Sequence, residues 1–558
     1  TQQHTLTQRE RERERERESM CGIGAVYESG KWNEDKVKEA IECIANRGPD
    51  ENETTYVRKN MVLLASVLHL RGIKCMKQPF SMKDSRDILL WNGEVFGGRP
   101  VVTEKQSDTK RVFEVLSSET ADSSRKDVGV RILKTLDMIE GPWAAVYWHH
   151  KTQSLWFGRD RLGRRSLLLR FEREEENVLK SLRISSVLPA SEHNKYVVPA
   201  DKDEYKLVDS VWQAIPPTGL FGVCFDEEDN LCGFEHIPRR SSLCSTSSTS
   251  SSPLPVRLER ILRDAVKRRV LGIAQSKHVA VLFSGGLDSA VLAAMLGQVL
   301  EKDKVVELIN VCFDHPKYNS PDREAALRVF QELKESQPKR KFRLILVNVS
   351  WKEVQAQAKH VMNLIRPRET NMDFNIAIAM WFAARGRGHL ASSPSTCYIS
   401  KARVLLLGIG ADEQLGGYLR HHSQLKVKGE EGLRDEMQMD VKRLWRRNLG
   451  RDDRVVSDLG KEIRLPYLDE NVTKLISSTP LRDLVGGSDK FVDKKVLRDV
   501  AVNLGIKHAA SLKKRAIQFG SRISKRSGIH LFGSVRKANK ARAGVSLCSL
   551  DAILGGAC

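Results

Sequence analysis

Two groups of residues in this chain have the types and spacing of reactive centres. Near the start, Cys21 follows Met20 and precedes Gly22-Ile23. Removing that methionine would leave a thiol beside its own free α-amine, a base with a pKa low enough to take the thiol proton. Asn46-Arg47-Gly48-Pro49-Asp50 adds a guanidinium fork suited to a carboxylate. Asn92-Gly93-Glu94 offers a side-chain amide and a glycine N–H as oxyanion donors. Asp108, within Ser107-Asp108-Thr109, offers a carboxylate for an ammonium. Glutamine carries both charged groups and an amide carbonyl, so Cys21, Arg47, Asn92, Gly93, Glu94 and Asp108 are jointly complementary to it. Singly, each also fits a plain role: Cys21 a buried thiol, Arg47 a surface charge, Asn92-Gly93 a hairpin turn.

The second group begins with Ser284-Gly285-Gly286-Leu287-Asp288-Ser289, between a strand-like and a helix-like stretch. Two glycines let backbone approach an anion, and the hydroxyls of Ser284 and Ser289 with amides at a helix N-terminus can wrap a pyrophosphate. The loop lacks the lysine of GxxxxGK[ST], so it is not a Walker loop. Asp288 would repel phosphate unless a divalent cation lay between them, which implies magnesium. Gly408-Ile409-Gly410-Ala411-Asp412-Glu413 follows a second strand-like run, and Asp412 is the candidate for a second metal-binding carboxylate. At the carboxyl edge of one sheet the two loops would face each other.

These loops need two different scaffolds. From Cys21, short β-rich runs (GIGAVYE, MVLLASVLHL, DILLWNGEVF, GPWAAVYWHH, SLWFGRD, RSLLLRF) separated by turns predict an antiparallel sandwich. Ser241 to Ser252 is Ser-rich and marks the clearest boundary. Beyond it HVAVLFS, VELINVCF, FRLILVNV and RVLLLGIGADE alternate with helical patterns, predicting a parallel sheet with crossover helices. The expected organisation is an Arg-Glu leader over 1–19, a first domain over 20–235, a linker over 236–255, a second domain over 256–545 and a tail over 546–558. A native start at Met20 is expected, since the five Arg-Glu pairs of residues 9 to 18 have no apolar face.

Composition narrows the class. At 41% hydrophobic and 29% charged residues the chain is globular rather than fibrous or disordered. No apolar run reaches the roughly 18 residues of a membrane span, so membrane is not an expected partner. Ten scattered cysteines without a CxxC pair suit free thiols, and with no targeting segment the expected compartment is the cytoplasm. The net charge of +21 concentrates near the C-terminus, where Ala510 to Val545 holds ten Lys or Arg and no acid. No ribonucleoprotein motif or zinc finger accompanies it, so nucleic acid is not an expected partner.

The hexapeptide at 284–289 resembles the signature of the pyrophosphate-releasing ATPases, and the Cys21 group resembles a class II, N-terminal-nucleophile glutamine amidotransferase. With Arg464-Leu-Pro466-Tyr-Leu468-Asp469 downstream, the chain from Cys21 to about Gly520 resembles the glutamine-dependent asparagine synthetases. It is most similar to their divergent domain-containing branch, through LHLRG, LWNGE, LWFGRD, NLGRDDRV and KRAIQFGSRI. The resemblance implies an α+β N-terminal-nucleophile sandwich followed by an α/β parallel-sheet ATP pyrophosphatase domain. It implies glutamine, aspartate and ATP as substrates, magnesium as cofactor, and a β-aspartyl adenylate that ammonia attacks. By position it makes Leu282, Val311, Leu407 and Gly408 nucleotide contacts, and Asp288 and Asp412 magnesium carboxylates. Lys513, Lys514 and Arg515 fall near the family's pyrophosphate-side lysine, with a slightly different spacing to Phe519. One departure stands out: the family's glutamate between the two glycines is Ile409 here, which can take no proton. The alternatives are an amidotransferase for another carboxylate, or a degenerate synthetase acting as an interaction protein.

Overall fold

The computed structural model describes residues 21–554, except 31, 49, 176, 193–206, 241–251, 274–275, 277, 487–490 and 541–545. The Arg-Glu leader, the centre of the Ser-rich stretch and the end of the basic C-terminal stretch lie outside the described residues. Contacts divide the chain into two units: one of residues up to Arg239 together with Val456–Glu462, the other of Arg240–Val455 with Ile463–Cys558.

The first unit stacks two antiparallel sheets between helices. In one sheet Gly22–Glu28 lies between Val178–Ser185 and Met61–Val67, with Ile23 opposite Ala65 and Ala25 opposite Ile184. In the other, Trp143–His149 pairs with Ile88–Gly93 and Ser154–Arg159. Strand alternation sorts the side chains. Ile23, Ala25 and Tyr27 meet Leu90, Val146 and Phe157 between the sheets. Val26 points outward to Val37 and Ile44 of the helix Glu34–Ala45. On the far side, Trp91 and Tyr147 pack with Val112, Phe113 and Ile132 from the helices Asp108–Thr120 and Val128–Leu136. The six β-rich runs are all strands. Glu235–Pro238, which crosses the expected start of the linker at 236, pairs with Gly219–Cys224 as an edge strand.

The second unit is built on a parallel sheet. His278–Leu282 lies between Val305–Cys312 and Val404–Leu406, and Phe342–Asn348 extends the sheet, all parallel. Arg387–Leu390 and Ser393–Ile399 add antiparallel strands at the edge. The helices Leu287–Val299 and Pro321–Ser336 are crossovers between successive parallel strands. Ser320 caps the latter by accepting from the Arg323 N–H, and Pro321 stands where no N–H is needed. The chain leaves His278–Leu282 toward one side and returns with Val404–Leu406 on the other. Strand order therefore reverses at that junction, the place where open α/β sheets bind ligands. No helix among the described residues is long and apolar enough to cross a membrane.

Candidate functional site

In the first unit Cys21 lines a small pocket, of about 50 Å³, together with Leu68, Asn92, Gly93, Glu94, Asp108 and Glu462. The thiol accepts from the Leu68 N–H at 3.4 Å. Desolvation nevertheless pushes its pKa up to about 12, so in this setting it is a thiol rather than a thiolate. Asn92 is 1% exposed, and its Nδ2 has no hydrogen-bond partner although the side chain lines the pocket. A buried unpaired donor is costly, which fits a site built to receive an acceptor oxygen.

Two expected contacts are arranged differently. Arg47 is not among the pocket-lining residues: its Nε donates to the Cys21 carbonyl at 3.3 Å, and its Nη1 to Ser457 Oγ at 2.5 Å. It therefore braces the nucleophile's backbone. Asp108 does line the pocket, but it accepts from the Val95 N–H at 2.7 Å and from Arg71 Nη1 at 3.3 Å. Arg71 also lies 3.8 Å from Glu94 and so sits between two pocket carboxylates. Sequence reasoning missed it, though it stands within the LHLRG phrase. Glu462 was missed too: it pairs with buried Arg165 at 2.9 Å and comes from a segment far along the chain.

In the second unit the loop after His278–Leu282 is held by Ser284 Oγ, which accepts from the Gly286 N–H at 3.2 Å and lies 3.3 Å from Ser289 Oγ. Gly285 has φ +74° and packs so tightly on the next crossover helix that a Cβ would lie 2.3 Å from the Ala326 nitrogen. Only glycine meets both conditions. Leu282 ends its strand, Val311 is the last residue but one of its own, and Leu407 and Gly408 follow theirs, so the positions matched to nucleotide contacts share the carboxyl edge. Gly408 lies against Asp288, where a Cβ would come within 2.9 Å of the aspartate's own. Ile409 is half-buried between Gly408 and Gly410.

Asp288 and Asp412 converge on one cation. Lys494 Nζ donates to both oxygens of Asp288, at 2.8 and 2.6 Å, and lies 2.7 Å from Asp412 Oδ1. Lys514 approaches Asp412 Oδ2 at 3.4 Å, whereas Lys513 and Arg515 are exposed. Burial lifts the Asp288 carboxyl above its usual range, with Lys494 opposing. Burial would lift Asp412 as well, but Lys494 and Lys514 hold it low. Two carboxylates sharing a point charge beside a phosphate-type loop are a donor set that suits a hard divalent cation. Lys494 carries no motif around it, so nothing in its local sequence signals this position. Of the downstream phrase, Tyr467 donates to the Asp288 carbonyl at 3.0 Å, while Asp469 is bound by Arg268 and Arg269 and caps a helix.

An α+β sandwich followed by a parallel-sheet α/β unit is the architecture of a glutamine amidotransferase domain joined to an asparagine-synthase-like domain. The glutamine amidotransferase domain family matches residues 20–212, and the asparagine synthase family matches 257–431 and 424–527. The asparagine synthetase domain-containing protein 1 of Bos taurus is 32% identical, over 91% of this chain and 96% of its own. The asparagine synthetase domain-containing protein YML096W of Saccharomyces cerevisiae is 31% identical, over 88% and 90%. A glutamine-hydrolysing asparagine synthetase of Pongo abelii is 23% identical, over 86% and 81%. The chain belongs to the asparagine synthetase domain-containing family.

Proposed function

We propose that this chain is an ATP-dependent carbon–nitrogen ligase that takes its nitrogen from glutamine and uses aspartate as acceptor. The observation that carries the reading is the convergence of Asp288 and Asp412 beside the Ser284–Ser289 loop. Asp288 and Asp412 would hold magnesium, which when bound neutralises triphosphate oxygens. The loop amides and hydroxyls hold the β- and γ-phosphates, and Lys514 stands on the same side for the leaving pyrophosphate. An acceptor carboxylate oxygen attacks the α-phosphorus and pyrophosphate leaves. Ammonia then attacks the acyl carbon and AMP leaves.

In the first unit Cys21 attacks the glutamine amide carbon, with Asn92 and the Gly93 N–H receiving the oxyanion. The proton taken from the thiol passes to the amide nitrogen, the C–N bond breaks and ammonia leaves, and water then releases glutamate from the thioester. The high pKa of the Cys21 thiol requires a base, which the free α-amine of a trimmed chain supplies. Ile409 supports a second reading in which adenylation persists while amidation is slow, or in which the chain is an interaction protein. Pyrophosphate exchange into ATP across a panel of amino acids separates these. Aspartate-dependent exchange supports the reading, exchange with another acid reassigns the acceptor, and silence with every acid removes the ligase.

A further inference from the structure

Lys494 is 2% exposed, and its position is built rather than incidental. Its backbone takes the left-handed conformation, with φ +54°. It is pinned there by its N–H donating to the Leu415 carbonyl at 3.0 Å and by its carbonyl accepting from the Leu497 and Arg498 N–H groups at 2.9 and 3.0 Å. A non-glycine residue held in this region is strained, and such strain gathers at functional sites. The side chain then runs past Gly417, where a Cβ would meet Lys494 Cε at 2.6 Å. The glycine pair after Asp412 thus opens a path for a four-carbon stem whose ammonium arrives between two acids. The backbone is fixed, and the ammonium is reached through the rotatable bonds of the stem.

We propose that Lys494 is a built-in counter-cation that holds the place of the divalent metal between Asp288 and Asp412 and makes metal entry conditional on nucleotide. The inference rests on the reading of this pair as the metal site. The two carboxylates with Lys494 and Lys514 make a locally neutral group in a buried setting. A bare divalent ion entering it would confront an ammonium at 2.6 to 2.8 Å from the oxygens it needs, and would leave two surplus positive charges in low dielectric. A triphosphate entering with the ion brings anionic oxygens of its own. Lys494 can then turn its tip from the carboxylates to those oxygens without losing a partner, and its charge is useful in both states. Metal alone is refused and metal with nucleotide is accepted, with Lys494 acting as a positioning residue for both. The same ammonium screens Asp288 from Asp412, where two unscreened carboxylates would repel each other.

The test is manganese(II) binding to the full chain, read by electron paramagnetic resonance with and without a non-hydrolysable ATP analogue. The unaltered chain should bind manganese in stoichiometric amount only when the analogue is present. Lys494→Met should bind manganese without it, at least about tenfold more tightly than the unaltered chain does. Adding Asp288→Asn to that variant should abolish the gain, and Lys494→Arg, which keeps the charge, should keep the requirement for nucleotide. Stoichiometric manganese binding by the unaltered chain without nucleotide, as tight as with it, overturns the proposal and needs no variant that folds. Failure to bind manganese even with the analogue removes the metal-site reading itself, and the proposal with it.

Discussion

At the scale of single residues, the chemistry turns on two side chains, Cys21 and Ile409. Cys21 is kept protonated by desolvation, so its reactivity depends on a base. In a chain that retains residues 1–19 the expected alkylation by iodoacetamide is slow at pH 7. It should rise about tenfold per pH unit with no plateau below pH 10, because ionisation lies near the upper end of the range. A plateau near pH 8 in that form would contradict the assignment. Cys21→Ala should abolish glutamine use and leave any ammonia-dependent reaction intact, measured by product formation from each nitrogen source. Ile409 is the opposite case, a side chain that can do nothing with protons. Ile409→Glu should raise amide formation from ammonia by roughly 10²–10⁴, the worth of a placed general base. If burial keeps the new acid protonated, the gain will appear only at high pH. Residue types and spacing made Cys21, Asn92, Gly93, Asp288 and Asp412 legible in the sequence. Arg71 and Lys494 were not, because the carboxylates they serve become their neighbours only on folding: 37 residues separate Arg71 from Asp108 and 206 separate Lys494 from Asp288.

At the scale of elements, the crossover helix Pro321–Ser336 is the surface on which the phosphate loop is moulded. Its first turn carries Asp322, 5% exposed, whose carboxyl is pushed up to about 7 by burial, with Arg515 opposing. Gly520 lies flat against it, since a Cβ there would come within 2.0 Å of Asp322 Oδ1. The folded form binds this proton near pH 7 while the unfolded chain holds it only below about pH 4. The cost to folding free energy therefore builds between about pH 4 and pH 7, is full above pH 7, and is recovered as pH falls back through that window. Asp322→Asn should stabilise the protein at pH 8 by roughly 2–4 kcal/mol, by roughly 1–2 kcal/mol at pH 5, and have little effect below about pH 4, as read from urea unfolding at each pH. Gly285→Ala should cost roughly 3 kcal/mol, from a left-handed conformation and a backbone collision together, and should weaken ATP binding measured by calorimetry. The strands bearing both loops were readable from their apolar runs, because a doubly covered parallel strand is apolar on both faces. Glu235–Pro238 was not: its residues are mostly exposed, so an edge strand of this kind reads as linker.

At the scale of the whole molecule, the division into two units follows the change from antiparallel to parallel patterning and falls between Arg239 and Arg240. One segment breaks that simple order. Val456–Glu462 belongs to the first unit although it lies deep in the second half of the sequence, and it supplies Ser457 to Arg47 and Glu462 to the Cys21 pocket. No local pattern announces this, because the 410 residues between Arg47 and Ser457 carry no trace of their pairing. The state of the N-terminus acts at this scale too. A chain beginning at Cys21 should hydrolyse glutamine, whereas the 558-residue form, shown by mass to keep its leader, should not. Turnover by the long form would remove the α-amine from the mechanism.

The central claim is that the second unit activates a carboxylate with ATP, and exchange of labelled pyrophosphate into ATP tests it directly. With magnesium and aspartate present, label should enter ATP, and the exchange should vanish in Asp412→Asn. Exchange that is absent with aspartate and every other amino acid tried, in a folded protein that binds ATP, would contradict the account.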